Sequence, residues 1–343
     1  MRSFRKPVAG LGCLLALAVT GCSTTPATPA TPATPATSAT SATSATSATP
    51  YAPYVSATTA ADHDTAGSPT AYNLAFVISD GTGCTPTWGG TSAIDDSAVA
   101  SRIAQLTGVG AVPRVSFGGA SGAELATVCN TAAELAEAYG AALDAAGATR
   151  ADFDVEGETL TDADSVALRS EAIALLQEER PGLEVSFTLP VMPSGLDDDS
   201  VALLESANDH GVQVSTVNLM TMNYGSTYTG DMGDYAIESA NSAHTQLRSV
   251  FGQSAKGAWR AMALTSMIGV NDVDGETFTL ADAKEVRTFA AEKEIAWVSM
   301  WASFRDQECA DGATQEGHDD AATNCSGVSQ TTGAFAEAFT GQD

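Results

Sequence analysis

The sequence predicts an α/β protein folded as one closed (β/α)8 TIM barrel. From Tyr51 to the C-terminus, short apolar runs alternate with longer amphipathic stretches. Strand and helix patterns in that order favour a parallel sheet covered by helices. Eight such runs over about 290 residues fit the size of a TIM barrel, and the 44% hydrophobic content of the 343-residue chain can fill its core.

Before the barrel, residues 1–21 carry the pattern of an export signal. Arg2, Arg5 and Lys6 make a basic start, and an apolar run follows over 8–19. About twelve such residues are too few to span a bilayer, which takes roughly 20. The run ends in Val19-Thr20-Gly21-Cys22, similar to a bacterial lipobox. It predicts cleavage before Cys22 and a lipid on that thiol; ordinary signal cleavage without a lipid is the other reading. Residues 22–50 repeat Pro-Ala-Thr and then Ser-Ala-Thr. With nothing large to bury, this segment is expected to stay extended and disordered, as a tether for the domain over 51–343. The expected location is a bacterial cell surface or its exterior, with membrane contact through the lipid alone.

Strands are expected at 51–56, 73–79, 111–117, 151–155, 183–189, 214–222, 258–264 and 295–301. Helices are expected at 95–106, 132–146, 165–179, 197–208, 234–250 and 280–292, with Gly147 and Gly211 as closing residues. The first crossover departs from the rule. Gly67, Pro69 and their polar neighbours read as a loop, and a doubly wound open sheet is the alternative architecture.

The net charge of −27 opposes binding to a phosphate backbone, so no nucleic-acid partner is expected; a neutral polymer meets no such barrier. Of six cysteines, Cys13 leaves with the signal and Cys22 is the lipid site. Cys84, Cys129, Cys309 and Cys325 remain, enough for two disulfides in three possible connectivities. His63, His210, His244 and His318 are scattered and no Cys-x-x-Cys occurs, so neither a metal nor a cofactor is expected.

The chemistry concentrates in Asp152-Phe153-Asp154-Val155-Glu156-Gly157. Carboxylates two residues apart share one side of a strand, here the barrel interior, and Gly157 ends the run at the C-terminal face. Burying acids together is costly unless protons are shared or hydrogen bonds compensate, which predicts a shifted pKa put to use. A solvated acidic edge strand is the bland alternative. A two-metal carboxylate site is another, but no further ligands complete it.

This segment resembles the active-site strand of family 18 glycoside hydrolases, Asp-x-x-Asp-x-Asp-x-Glu. Ser116-Phe117-Gly118-Gly119 is similar to the family's Ser-x-Gly-Gly, and Met222-Asn223-Tyr224 to its Met-x-Tyr. The run over 295–301 resembles the last strand, which ends in a tryptophan. Met267-Ile268-Gly269-Val270-Asn271-Asp272 resembles a bacterial chitinase subgroup. Thr149, Arg150 and Gly225 depart from the pattern: the family has Asp, then Gly, at the first two, and many members have an acid at the third.

The resemblance implies a single catalytic domain that hydrolyses β-1,4-linked N-acetylglucosamine in chitin or related oligosaccharides, as a monomer. Glu156 would be general acid and then base, with the substrate's own N-acetyl oxygen as nucleophile. Asp154 would orient the acetamido group, and Asp152 would share a proton with it. Tyr224 would hydrogen-bond the acetamido carbonyl and Trp301 would stack on the sugar. Met222 and Asn223 would border the site, and Gly118 and Gly119 would leave room beneath the sugar or form a tight turn. An endo-β-N-acetylglucosaminidase acting on N-glycans shares this barrel; a non-catalytic sugar-binding barrel is disfavoured by the retained Glu156. Trp88 is read either as a sugar platform or as loop packing, and Trp259 and Trp297 as core. Gly119-Ala120-Ser121-Gly122 only superficially resembles a nucleophile elbow, because Ala123 breaks it. Barrel strand order pairs Cys84 with Cys129, across the loops after the second and third strands, and Cys309 with Cys325, after the last.

Overall fold

A computed structural model describes residues 49–108, 110–310 and 324–342. The expected signal, Cys22 and nearly all of the repeat lie outside these residues. The barrel strands are β1 (Tyr54–Ser56), β2 (Ala71–Ser79), β3 (Val112–Gly118), β4 (Arg150–Asp154), β5 (Glu184–Pro190), β6 (Val214–Met220), β7 (Met262–Met267) and β8 (Trp297–Trp301). Each pairs in parallel with the next. A parallel bridge between Tyr51 and Val298 closes the ring, with Ala52 N–H donating to Val298 O at 3.0 Å and Val298 N–H to Pro50 O at 2.9 Å. That closure excludes the open sheet.

Helices α1 (Ser97–Thr107), α2 (Ala132–Ala146), α3 (Ala163–Glu179), α4 (Asp198–Asp209), α5 (Met232–Phe251), α6 (Leu280–Lys293) and α7 (Ala334–Thr340) surround it. The first six start on Asp96, Thr131, Asp162, Asp197, Asp231 and Thr279, whose side chains accept first-turn N–H groups. Between β1 and β2 the chain makes turns and no helix, as the glycine and proline there predict. Asp64 anchors this loop, accepting from Arg102 at 2.5 Å and from Ser303 Oγ at 2.5 Å. Helix α7 packs over the seam: Phe339 stacks on Tyr51 at 6.2 Å, and a Cβ on Gly67 would lie 2.8 Å from Ala336 O.

Strand alternation sorts the side chains. The register aligns Phe117, Phe153 and Phe187 across β3, β4 and β5, and they stack at 5.3 and 5.7 Å beneath Tyr139 of α2. The same register aligns Ser116, Asp152 and Ser186 on the opposite, inner face.

Two expectations need correction. The seventh strand begins at Met262, because Ala255–Arg260 form a short helix capped by Ser254; a short apolar run does not by itself distinguish the two. Trp259 lies on that helix, half-buried and stacked on His244 at 4.0 Å, rather than in a strand. Trp297 is buried, with the Arg114 guanidinium 3.9 Å above its ring. Both expected disulfides are present, Cys84–Cys129 and Cys309–Cys325, with Cα separations of 4.5 and 5.1 Å.

Candidate active site

The inner face of β4 carries Asp152 and Asp154, 1% and 5% exposed. Pairing continues past the end of the strand through Val155 N–H to Thr188 O at 3.1 Å, so Glu156 emerges at the barrel rim, half-buried. The glycines of β3 set this geometry. A Cβ on Gly118, at φ +96°, would collide with the Asp154 carbonyl, and one on Gly119 would lie 2.9 Å from the Phe76 ring. Neither glycine lines the cavity. Their work is to let β3 press against β4 and against Phe76, which lines the cavity.

Asp152 is fully partnered. Tyr54 and Ser116 donate to one carboxylate oxygen at 2.9 and 2.8 Å, and Ser186 and Thr188 to the other at 2.6 and 2.9 Å. The network extends outward: the Asn218 amide donates to Thr188 Oγ1 at 3.0 Å, and Thr265 Oγ1 donates to Asn218 Oδ1 at 2.9 Å. Asp154 contrasts with this, since its Oδ1 has no hydrogen-bond partner among the described residues. Burial first, then the charges of Glu156 and Asp152, push its carboxyl well above the usual range. Burial and then Asp272 push Glu156 up to about 7. Glu156 can therefore hold a proton at neutral pH, as a general acid requires.

Asp154 and Glu156 line a cavity of about 320 Å³ with Met222, Asn223 and Trp301, the predicted neighbours. Trp301 belongs to an aromatic group with Phe76 at 5.5 Å, Phe304 at 5.8 Å and Tyr54 at 5.9 Å. Asp272, Thr188 and Thr265 complete the polar lining. A second cleft of about 190 Å³ adjoins on the other side of Glu156, between Met192, Val191 and Asp197.

Two predicted contacts are not in the cavity lining. Tyr224 is 4% exposed and turned into a cluster with Tyr228 and Tyr235, at 5.9 and 5.8 Å; among the described residues its hydroxyl receives only a 3.5 Å contact from Ser239 Oγ. Trp88 is fully buried, with its indole N–H donating to Ile94 O at 3.2 Å, so loop packing is the correct reading. At Gly225, where many family members have an acid, the backbone N–H donates at 2.7 Å to Glu276, which arrives from the loop after β7.

Tyr54, Phe76, Thr188, Thr265 and Phe304 escaped the sequence reading. Phe76 sits where the β2–β3 register shifts between Leu74 and Val77, and such an irregularity re-aims a side chain against the simple alternation. The hydroxyl residues look in sequence like any strand residue. Among the described residues, one carboxylate group has metal-ligand spacing, Asp231, Asp234 and Glu285; it is exposed and takes no part in the cavity lining.

No family model matches the chain. Over 249 residues it is 32% identical to the "Probable bifunctional chitinase/lysozyme" of Escherichia coli strain K12, covering 68% of this chain and 28% of that protein. Over 248 residues it is 31% identical to Endochitinase 11 of Metarhizium anisopliae, covering 68% of this chain and 47% of that protein. The chain thus spans less than half the length of these curated relatives. Among solved structures, the catalytic domain of the hyperthermophilic chitinase from Pyrococcus furiosus matches with a TM-score of 0.74 and 29% identity, over 86% of this chain and 96% of that one. Catalytic site mutants of active domain 2 of a thermostable chitinase from Pyrococcus furiosus, complexed with chito-oligosaccharides, match equally well. A GH18 chitinase from Pseudoalteromonas aurantia shares the fold, with a TM-score of 0.53 and 13% identity over 74% of this chain and 93% of that one.

Proposed function

We propose that this chain, which has the barrel fold of family 18 chitinases, is a glycoside hydrolase that cleaves β-1,4 linkages between N-acetylglucosamine units. The observation that carries the reading is one cavity with a rim carboxyl held near pKa 7, a buried neighbouring carboxyl with an unpartnered oxygen, and an aromatic wall. Glu156 delivers its proton to the glycosidic oxygen as that bond breaks. The acetamido oxygen of the sugar attacks the anomeric carbon, and Asp154 accepts the acetamido N–H and balances the positive charge that develops. Glu156, now a carboxylate, takes a proton from water, which opens the cyclic intermediate with net retention. Asp152, held by four hydroxyls, fixes the strand face from which Asp154 works. Trp301 and Phe76 offer apolar rings to the sugar face. The chito-oligosaccharide complex of the Pyrococcus furiosus domain supports the same substrate class here.

The test compares chitin oligomers, cellulose oligomers of equal length and a high-mannose glycopeptide, with proton NMR of fresh products. Chitin oligomers should be cut to an initial β-anomer and cellulose oligomers left intact, because only the acetamido group can be the internal nucleophile. An initial α-anomer, or equal turnover of cellulose, would reject the mechanism, and exclusive release of the N-glycan would move the substrate to glycoproteins. The lipobox-like run and the repeat support tethering at a bacterial cell surface through Cys22. Cys22→Ser should release the protein into the medium; unchanged membrane retention would refute the anchor.

A further inference from the structure

The loop after β7 brings a third carboxylate to the cavity, one that the mechanism above does not use. Its backbone is clamped over most of its length. Gly269 and Val270 pair with Phe278 and Thr277 in a small antiparallel ribbon, and Val270 N–H donates to Ser326 O at 2.7 Å. The Asn271 amide donates back to the carbonyls of Met267 and Gly269 at 2.9 and 3.0 Å. A Cβ on Gly269 would collide with the Ser326 carbonyl, and Ser326 follows Cys325, which is bonded to Cys309. Asp272 therefore stands at the end of a fixed loop, exposed to solvent on one side and lining the same cavity as Glu156.

The charged groups around Glu156 are few. Asp154 faces it from β4, Asp272 from the β7 loop, and Asp197 from the start of α4 across the adjoining cleft. Tyr54 is the titratable group contributed by β1. Arg305, whose guanidinium donates to Val270 O at 2.6 Å, lies near enough for its charge to feel Asp272. The described residues lining the cavity include no Lys, Arg or His. A proton on Glu156 is thus held among carboxyl groups, with no cation in the described cavity lining to draw it off.

We propose that Asp272 is a positioning residue for the reaction's acid, its fixed negative charge keeping the proton on Glu156 until the leaving oxygen takes it. This rests on the reading of Glu156 as general acid. In a partly dry cavity a like charge disfavours ionisation of its neighbour, consistent with the contribution of Asp272 to the raised Glu156 carboxyl. The same charge makes the Glu156 carboxylate a stronger base once the proton has gone, so both halves of the cycle gain. Because Asp272 is exposed, its influence is Coulombic and open to screening by salt.

Side-chain carboxyl NMR titrations of the wild type, Asp272→Asn and Asp272→Glu read the coupling without turnover. In Asp272→Asn, Glu156 should titrate lower by roughly half a unit to one unit, and Asp272→Glu should restore it. Molar salt should lower the Glu156 midpoint in the wild type and move it less in Asp272→Asn. In kinetics on chitin oligomers, the alkaline limb of kcat/KM should move toward acid by the same amount. An unchanged Glu156 midpoint in Asp272→Asn overturns the proposal, as does a raised KM with an unmoved limb, which would mark Asp272 as a sugar contact only. If no chitin oligomer is cut at all, the functional reading falls, while the NMR titration still decides whether Asp272 governs the Glu156 proton.

Discussion

Asp152 and Asp154 share one strand face and differ in what surrounds them. Four hydroxyls converge on Asp152, whereas Asp154 keeps an unpartnered oxygen. Glu156→Gln removes the transferable proton and should lower turnover by about 10² to 10⁴, measured on purified variant with chitin oligomers. It should also reveal a stability cost. The Glu156 carboxyl is raised from 4.5 to about 7, so the folded state binds its proton more tightly than the unfolded chain. That contribution is fully present below about pH 4.5 and lost as pH rises through about 7. Thermal melts should therefore show Glu156→Gln gaining on the wild type at pH 8, on the order of 2–3 kcal/mol, with the difference shrinking toward pH 4. Tyr224→Phe should be silent in turnover and cost less than about 1 kcal/mol in urea melts, since among the described residues its hydroxyl makes only the contact to Ser239.

At the scale of elements, the end of β3 is the sensitive joint. Gly118→Ala places a methyl group against the Asp154 carbonyl at a φ of +96°. It should cost roughly 2–4 kcal/mol in urea denaturation and lower turnover by moving Asp154. The strands were legible as short apolar runs, apart from the start of the seventh, where a helix takes the first half of the run, and helix starts were legible because Asp or Thr precedes them. The carboxylate strand was legible for the same periodic reason: a spacing of two forces a shared face. Phe76 was not legible, because a register shift breaks the period that makes strand reading possible. Tyr224 misled because a motif names a position and not a side-chain direction, and the chain after β6 turns that ring into the Tyr228–Tyr235 cluster. The hydroxyls around Asp152 were invisible for another reason: what selects them is a partner on a neighbouring strand.

For the molecule as a whole, the seam is the organising feature. Residues 49–56 and β8 meet where α7 covers them, and Asp306 holds α7 by accepting the Phe335 and Ala336 N–H groups at 3.0 and 2.9 Å. Deleting residues 334–342 uncovers Tyr51 and should lower the melting temperature by more than Tyr224→Phe does, while raising dye binding to exposed apolar surface. The seam also sets a schedule. Tyr51 finds its partner at Val298, close to the other end of the barrel, so the contact that closes the ring is among the last the growing chain can make. Folds dominated by such distant pairings form slowly, because the entropy of closing the loop is lost before any contact repays it. A chain that emerges N-terminus first thus stays without its seam until its far end is free. Asp272 and Trp301, which line the cavity with Glu156, come from the loop after β7 and from β8, so the cavity would be completed only after the far end had arrived.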